Sequence, residues 1–257
     1  MVDDKKDLVS IVLPTYNGSR HLAQSIESCL NQTYNNIELI IVNDSSTDST
    51  EDIILSFQDS RIIYVKNDVN QGLPKSLNIG FAKSLGEYLT WTSDDNYYAL
   101  CALEVMLKYL KEDRRIDFLY CNGYAINVDG NITGEFLKEE AWKLIKYNSV
   151  GPCFLYKRKV YSAIGDYDPE MFLVEDYDYW LRVYKKFNMK IMYKKLYYTR
   201  KHDQSLTSMY SKSEILIAFR KAFRKNVTTR QKIYYRLREK VERLRSKAKI
   251  QHFKTIL

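Results

Sequence analysis

The chain has 257 residues, 45% of them hydrophobic, enough to bury a sizeable core in one large domain or a domain with an appendage. Its formal net charge is +8, but residues 211–257 hold 15 Lys+Arg against 3 Asp+Glu, so the basic character belongs to the tail and the first 210 residues are slightly acidic. There is no apolar run of about 18 residues, no signal-like start over Met1–Asp7, and no CxxC spacing or adjacent His at Cys29, Cys101, Cys121 or Cys153; this argues against a membrane span, a leader, a disulfide framework and a zinc site, and points to a cytoplasmic protein with reduced thiols.

Leu8–Leu13 reads as a buried strand stopped by Pro14. Ser19–Leu30 follows with Leu22, Ala23, Ile26, Cys29 and Leu30 at helical spacing. Ile37–Val42 is a second strand, apolar on both faces as parallel strands are. Asn43-Asp44 breaks it, and Asp48 or Ser49 caps a helix that runs to Phe57. Arg61–Val65 is a third strand and Gly72–Ser84 a third helix. Tyr88–Trp91 is a short strand that stops before Asp94-Asp95-Asn96, and Ala99–Leu110 is the helix after it. Four strand–helix alternations predict an α/β fold, a doubly wound and mostly parallel sheet with helices on both faces.

The second half is less regular. Strands are expected at Ile116–Cys121, Gly151–Tyr156 and Met189–Tyr193, and a hairpin around Asp129-Gly130-Asn131. Helices are expected at Glu139–Tyr147, Lys157–Ile164 and Val174–Phe187. From Lys212 the chain reads as a basic helical extension, broken near Asn226–Thr229. The expected organisation is a domain over residues 1–210, with a nucleotide-binding half (1–112) and an acceptor half (113–210), followed by a basic amphipathic tail over 211–257.

Asp is disfavoured in strands and favoured in turns, so Asp94 and Asp95 sit just past a strand's C-terminal end. The first strand ends in Pro14-Thr15-Tyr16-Asn17 and the second in Asn43-Asp44. Parallel strands bring these ends to one edge, where α/β sheets bind ligands. The turn after the first strand has one glycine, not G-x-G-x-x-G, and no Walker loop is present, so glycine-rich backbone does not cradle phosphates here. A carboxylate pair suits Mg²⁺ or Mn²⁺, and such a cation suits a diphosphate. The sharp reading is a nucleoside diphosphate held by a cation at one end and Asp44 at the other. The bland one is a solvated turn with a helix-capping Asp.

The ordered set Ser10–Asn17, Ile40–Asp48, Asn70-Gln71-Gly72, Gly86-Glu87-Tyr88 with Ser93-Asp94-Asp95, Gly165–Asp168 and Glu175–Arg182 resembles the family 2 glycosyltransferases of the GT-A fold. The resemblance covers about residues 8–207 and implies an inverting transfer from a nucleoside diphosphate sugar, most often a UDP-sugar, to a saccharide or lipid-linked saccharide in bacterial surface polysaccharide or glycolipid synthesis. It implies that Pro14, Thr15, Tyr16, Asn17, Asp44, Asn70 and Asp94 line the nucleotide, Asp44 at the base and Asp94 at the ribose or sugar. Asp95 would hold Mn²⁺ or Mg²⁺, with His202 beside it, and Arg200 and Lys201 would face the phosphates. Asp176 would be the base that deprotonates the acceptor. Many members carry a further Asp where this chain has Thr92. Residue chemistry alone keeps open helix-end charge for Glu175-Asp176, a surface loop for His202, and a structural ion pair with those acids for Arg182.

The tail mixes cations with apolar residues near helical spacing, which fits an anionic membrane surface, packing on its own domain, or a homo-oligomer contact. Two other functions compete: a nucleotidyltransferase that makes nucleotide-sugars, and a non-catalytic polyanion binder acting through the tail. The first would want a Gly- and Arg/Lys-rich loop at Thr15–Ser19, which is absent, and nucleic acid is not an expected partner.

Overall fold

The computed structural model describes residues 6–241; residues 1–5 and 242–257, and with them the end of the expected tail, lie outside it. The parallel half is laid down in chain order: β1 (Val9–Thr15), α1 (Leu22–Leu30), β2 (Ile37–Asn43), α2 (Thr50–Ser56), β3 (Ile62–Lys66), α3 (Leu73–Lys83), β4 (Tyr88–Trp91) and, after a two-residue strand β5 (Tyr97–Tyr98), α4 (Ala102–Glu112). The second half runs β6 (Phe118–Ile126), β7 (Ile132–Phe136), a 3₁₀ turn (Ala141–Ile145), β8 (Phe154–Lys157), α5 (Arg158–Ile164), a 3₁₀ turn (Pro169–Met171), α6 (Glu175–Tyr184), β9 (Met189–Arg200), α7 (Leu206–Met209) and α8 (Lys212–Asn226). Residues 229–241 form a further helix, α9.

Among the described residues, nine strands make one sheet in the order β3-β2-β1-β4-β8-β6-β9-β5, with β7 on the side of β6. β1, β2, β3 and β4 are mutually parallel, and β6 and β9 share their direction because both β4 and β6 pair antiparallel with β8. The fold is therefore the expected α/β class, parallel-dominated, with a mixed second half. Alternation along β1 splits the core: Val9, Ile11 and Leu13 pack with α1 and α4 on one face, while Val12 packs with α3 and α6 on the other.

Several boundaries differ from expectation for local reasons. β1 runs through Pro14 to Thr15, whose carbonyl accepts from Asp44 N at 2.8 Å; Pro14 gives up one N–H without ending the ladder. α1 begins at Leu22, because residues 16–21 form the turn over the sheet edge. β9 extends seven residues past Tyr193, through two register shifts against β6, to Arg200.

The helix that opens the expected tail is packed on the domain. Phe219 of α8 stacks on Tyr177 at 4.0 Å. Asp178 on α6 is fully buried and takes Asn226 Nδ2 at 2.7 Å, Arg182 Nε at 2.9 Å and Lys225 Nζ at 3.2 Å. Arg182 thus has its ion pair one helical turn away with Asp178, rather than with Glu175 or Asp176. No helix among the described residues is long and apolar enough to cross a membrane.

Candidate active site at the carboxyl edge of the sheet

The parallel register sets Thr15, Asp44 and the Asp94–Asp95 turn along one edge, because β1 lies between β2 and β4. Thr15 donates to Asp94 Oδ2 at 2.6 Å, tying two strand ends together. Gly18 is required beside them: a Cβ there would come within 2.1 Å of Asp94 Oδ2. Burial and then the neighbouring Asp95 push the Asp94 carboxyl up to about 7. Asn17 adopts a left-handed φ of 52° and accepts from Thr47 N at 2.8 Å, joining the loops after β1 and β2. Tyr16 stands half-exposed above them.

Asp44 is not a free carboxylate. It is 3% exposed and accepts from Asn67 Nδ2, Gln71 N and Gly72 N at 2.7–2.8 Å. Asn70 closes the same turn by accepting from Gly72 N at 3.1 Å. Asp44 therefore shapes the 67–72 loop and retains about one of its four acceptor positions.

At the β4 tip, Asp95 Oδ2 lies 2.9 Å from His202 Nε2. Asp95 Oδ1 and His202 Nδ1 are both buried without a partner. An unpartnered buried carboxylate oxygen beside an imidazole is a donor set that fits a divalent cation. Among the described residues, no group of three or more His, Cys, Asp or Glu is placed to hold a metal ion. Thr92 is fully buried and bonds Tyr197 Oη at 2.6 Å, so a ligand at that position would face the core.

Arg200 is 4% exposed, and four of its five guanidinium N–H groups are committed, to Asp95 O, Asn127 O, Val128 O and Gln24 Oε1. Most of the guanidinium is thus spent on clamping the Asp95 backbone and its neighbours, where the resemblance implied a phosphate contact. Lys201, next along, is exposed.

The second carboxylate pair reaches this edge by a different route. β8 runs antiparallel to β4, so residues 148–153 entering β8 lie where β4 ends. Asn148 in that segment donates to Asp176 Oδ2 at 2.7 Å, and Tyr177 N donates to Asp176 Oδ1 at 2.6 Å. Burial raises the Asp176 carboxyl above its usual range, opposed by Asn148 and the charge of Lys138. Glu175 is 5% exposed, has an unpartnered buried Oε2, and is pushed well above the carboxylate range by burial and then by Asp176.

Sequence reasoning missed Asn148, Lys138, Gln24 and His21. The His21 ring lies 5.6 Å from that of His202, and burial, then Arg200, lowers it to about 4, which keeps it neutral. None of these residues belongs to a local pattern; each meets the site across a long stretch of chain.

The profile of Glycosyl transferase family 2 matches residues 10–180, about two thirds of the chain, and the chain belongs to that family. An uncharacterized glycosyltransferase of Rickettsia typhi is 32% identical over 212 residues, covering 78% of this chain and 66% of the relative. The Escherichia coli UDP-Glc:alpha-D-GlcNAc-diphosphoundecaprenol beta-1,3-glucosyltransferase WfaP is 38% identical over 130 residues, 51% of each chain. The chain thus spans no more than about two thirds of the length of these curated relatives. Among solved structures, S. aureus TarS 1-349 in complex with UDP-GlcNAc superposes with a TM-score of 0.69 at 17% identity, over 83% of this chain and 66% of that 1-349 chain. The mannosyltransferase PcManGT from Pyrobaculum calidifontis, in complex with GDP-Man and Mn2+, gives 0.66 at 15% identity over 87% and 66%. These structures share the GT-A fold with this chain.

Proposed function

We propose that the protein is an inverting glycosyltransferase that moves a sugar from a nucleoside diphosphate donor, a UDP-sugar, to an acceptor hydroxyl of a saccharide or lipid-linked saccharide. The observation that carries this reading is the gathering of Thr15, Asp44, Asp94 and Asp95 along one sheet edge, with Asp176 fixed by Asn148 beside the same edge. The UDP-sugar named for WfaP and the UDP-GlcNAc named for TarS support the choice of donor.

In this reading the base lies against Tyr16 and the 67–72 loop that Asp44 shapes, with Asn70 at the loop's tip. Pro14 and Asn17 hold the strand end and turn that line the nucleotide, and Asp94 meets the ribose or sugar. Asp95 and His202 would hold a divalent cation, Mn²⁺ or Mg²⁺, and when bound it would supply positive charge to the leaving diphosphate. Lys201 supplies a cation near the phosphates. The acceptor oxygen attacks the anomeric carbon from the side opposite the diphosphate. Its proton passes to Asp176, and the bond to the diphosphate breaks with its electron pair going to the leaving group. A carboxylate with a raised proton affinity is the better base for this step. Asn148 and Tyr177 N fix its orientation.

A thermal-shift panel of UDP, GDP, CDP and dTDP, each with and without Mn²⁺, tests the reading. A ligand that binds only the folded state raises the unfolding midpoint. UDP with Mn²⁺ is expected to give the largest rise. A panel in which no nucleotide shifts the midpoint would overturn it.

A further inference from the structure

We infer that α9 is a docking face for an anionic lipid bilayer. Between Arg230 and Val241 every residue is either half-buried or exposed, and the two sets fall on opposite sides of the helix. The half-buried side faces the domain: Tyr235 packs on Trp142 at 5.4 Å, Arg238 lies over the same ring at 5.0 Å, Lys232 lies over Phe223, and Glu239 pairs with Lys146. The helix is therefore seated by one face, and among the described residues nothing covers the opposite face.

That outer face has a defined chemistry. At about 100° per residue the exposed positions span an arc of about 160°. It carries four apolar side chains, Ile233 (54% exposed), Tyr234 (54%), Leu237 (61%) and Val241 (46%), spaced as a stripe along the helix. Three cations, Arg230, Arg236 and Lys240, are interspersed with them, and the arc holds no carboxylate. α8 repeats the pattern one helix earlier, with exposed Leu216 and Ile217 beside Arg220 and Arg224. Apolar side chains that enter the acyl boundary while cations meet lipid phosphates use every group on the arc.

The competing occupants each leave part of it unused. A nucleic acid would pair with the three cations and strand the apolar stripe against phosphate and water. A symmetric contact with a second copy would set Arg230, Arg236 and Lys240 against cations of their own kind with no acid to answer them. Charge complementarity and the apolar stripe together favour the membrane.

The inference stands apart from the proposed sugar transfer, because its test reads no transfer. The full chain is floated with vesicles of phosphatidylcholine alone and of phosphatidylcholine mixed with phosphatidylglycerol, at low and high salt. Binding is expected to the anionic vesicles only, weakening as salt rises. The triple variant Ile233→Ser, Leu237→Ser, Val241→Ser and the triple variant Arg230→Gln, Arg236→Gln, Lys240→Gln are each expected to lower partitioning about tenfold or more. All six positions are exposed, so unchanged unfolding midpoints are expected and confirm intact folding. Three results would overturn the inference: no vesicle binding, equal binding to neutral vesicles, or apolar variants that bind like the original chain. A dimer that the apolar variant converts to monomer, without vesicle binding, would assign the face to a second copy instead.

Discussion

Asp94–Asp95 and Glu175–Asp176 are both pairs of adjacent acids, yet the fold builds them for different work. The first pair stands on a strand tip. Thr15 holds one member and His202 the other, and Asp95 keeps one oxygen without a partner. The second pair opens a helix. Glu175 is buried, and Asp176 is aimed by an amide from a neighbouring segment. In the first pair a neutral imidazole stands near His202, and the backbone is clamped by Arg200. In the second the cation that acts on Asp176 is Lys138, itself lowered by burial. The contrast separates charge that would be held in place for a diphosphate from charge that would take up a proton.

Substitutions break this contrast in order of size. Asp176→Asn removes the proposed base while keeping its shape, and transfer is expected to fall on the order of 10²–10⁴-fold in a donor-consumption assay. Asp95→Ala is expected to lower transfer by a comparable factor and also to weaken Mn²⁺-dependent nucleotide binding, which a metal titration of donor affinity would detect. Asn148→Ala leaves the base in place but unaimed; kcat is expected to drop about tenfold with the donor KM unchanged, since misplacement costs rate before affinity. A KM change without a kcat change would remove the positioning role of Asn148.

Glu175→Gln probes the other member of its pair through stability. Glu175 is raised in the folded state, so the fold holds a proton there that the unfolded chain releases above about pH 4.5. The stability this proton supplies is complete below that pH and is lost as pH rises toward the folded value. Glu175→Gln is therefore expected to raise the unfolding midpoint, with a gain near zero at acid pH that grows toward neutral. A gain independent of pH would mean that Glu175 stays ionised in the fold.

Legibility in the sequence followed locality. Tyr88–Trp91 is the strand that its apolar run and the following acids mark. Likewise the Asp129-Gly130-Asn131 turn does join β6 to β7. What escaped depends on distant partners. β5 is two residues long and exists because Tyr97 and Tyr98 pair with Tyr198 and Tyr197 of β9. The strand expected at Met189–Tyr193 stops short of Lys194-Lys195, yet β9 continues because its far end pairs with Tyr124–Ile126. At the site, the strand-tip acids were visible as acids where strands should stop. That Asp44 gives most of its acceptor positions to the 67–72 loop, and that Arg200 gives most of its donors to nearby carbonyls, depends on backbone donors and acceptors no residue pattern records.

The division of labour between the two acidic pairs is tested most directly by calorimetric titration of UDP, with and without Mn²⁺, into the original chain, Asp95→Ala and Asp176→Asn. The account predicts metal-dependent binding that Asp176→Asn retains and Asp95→Ala loses. Equal loss in both variants, or binding by Asp95→Ala that still responds to Mn²⁺ like the original chain, would contradict it.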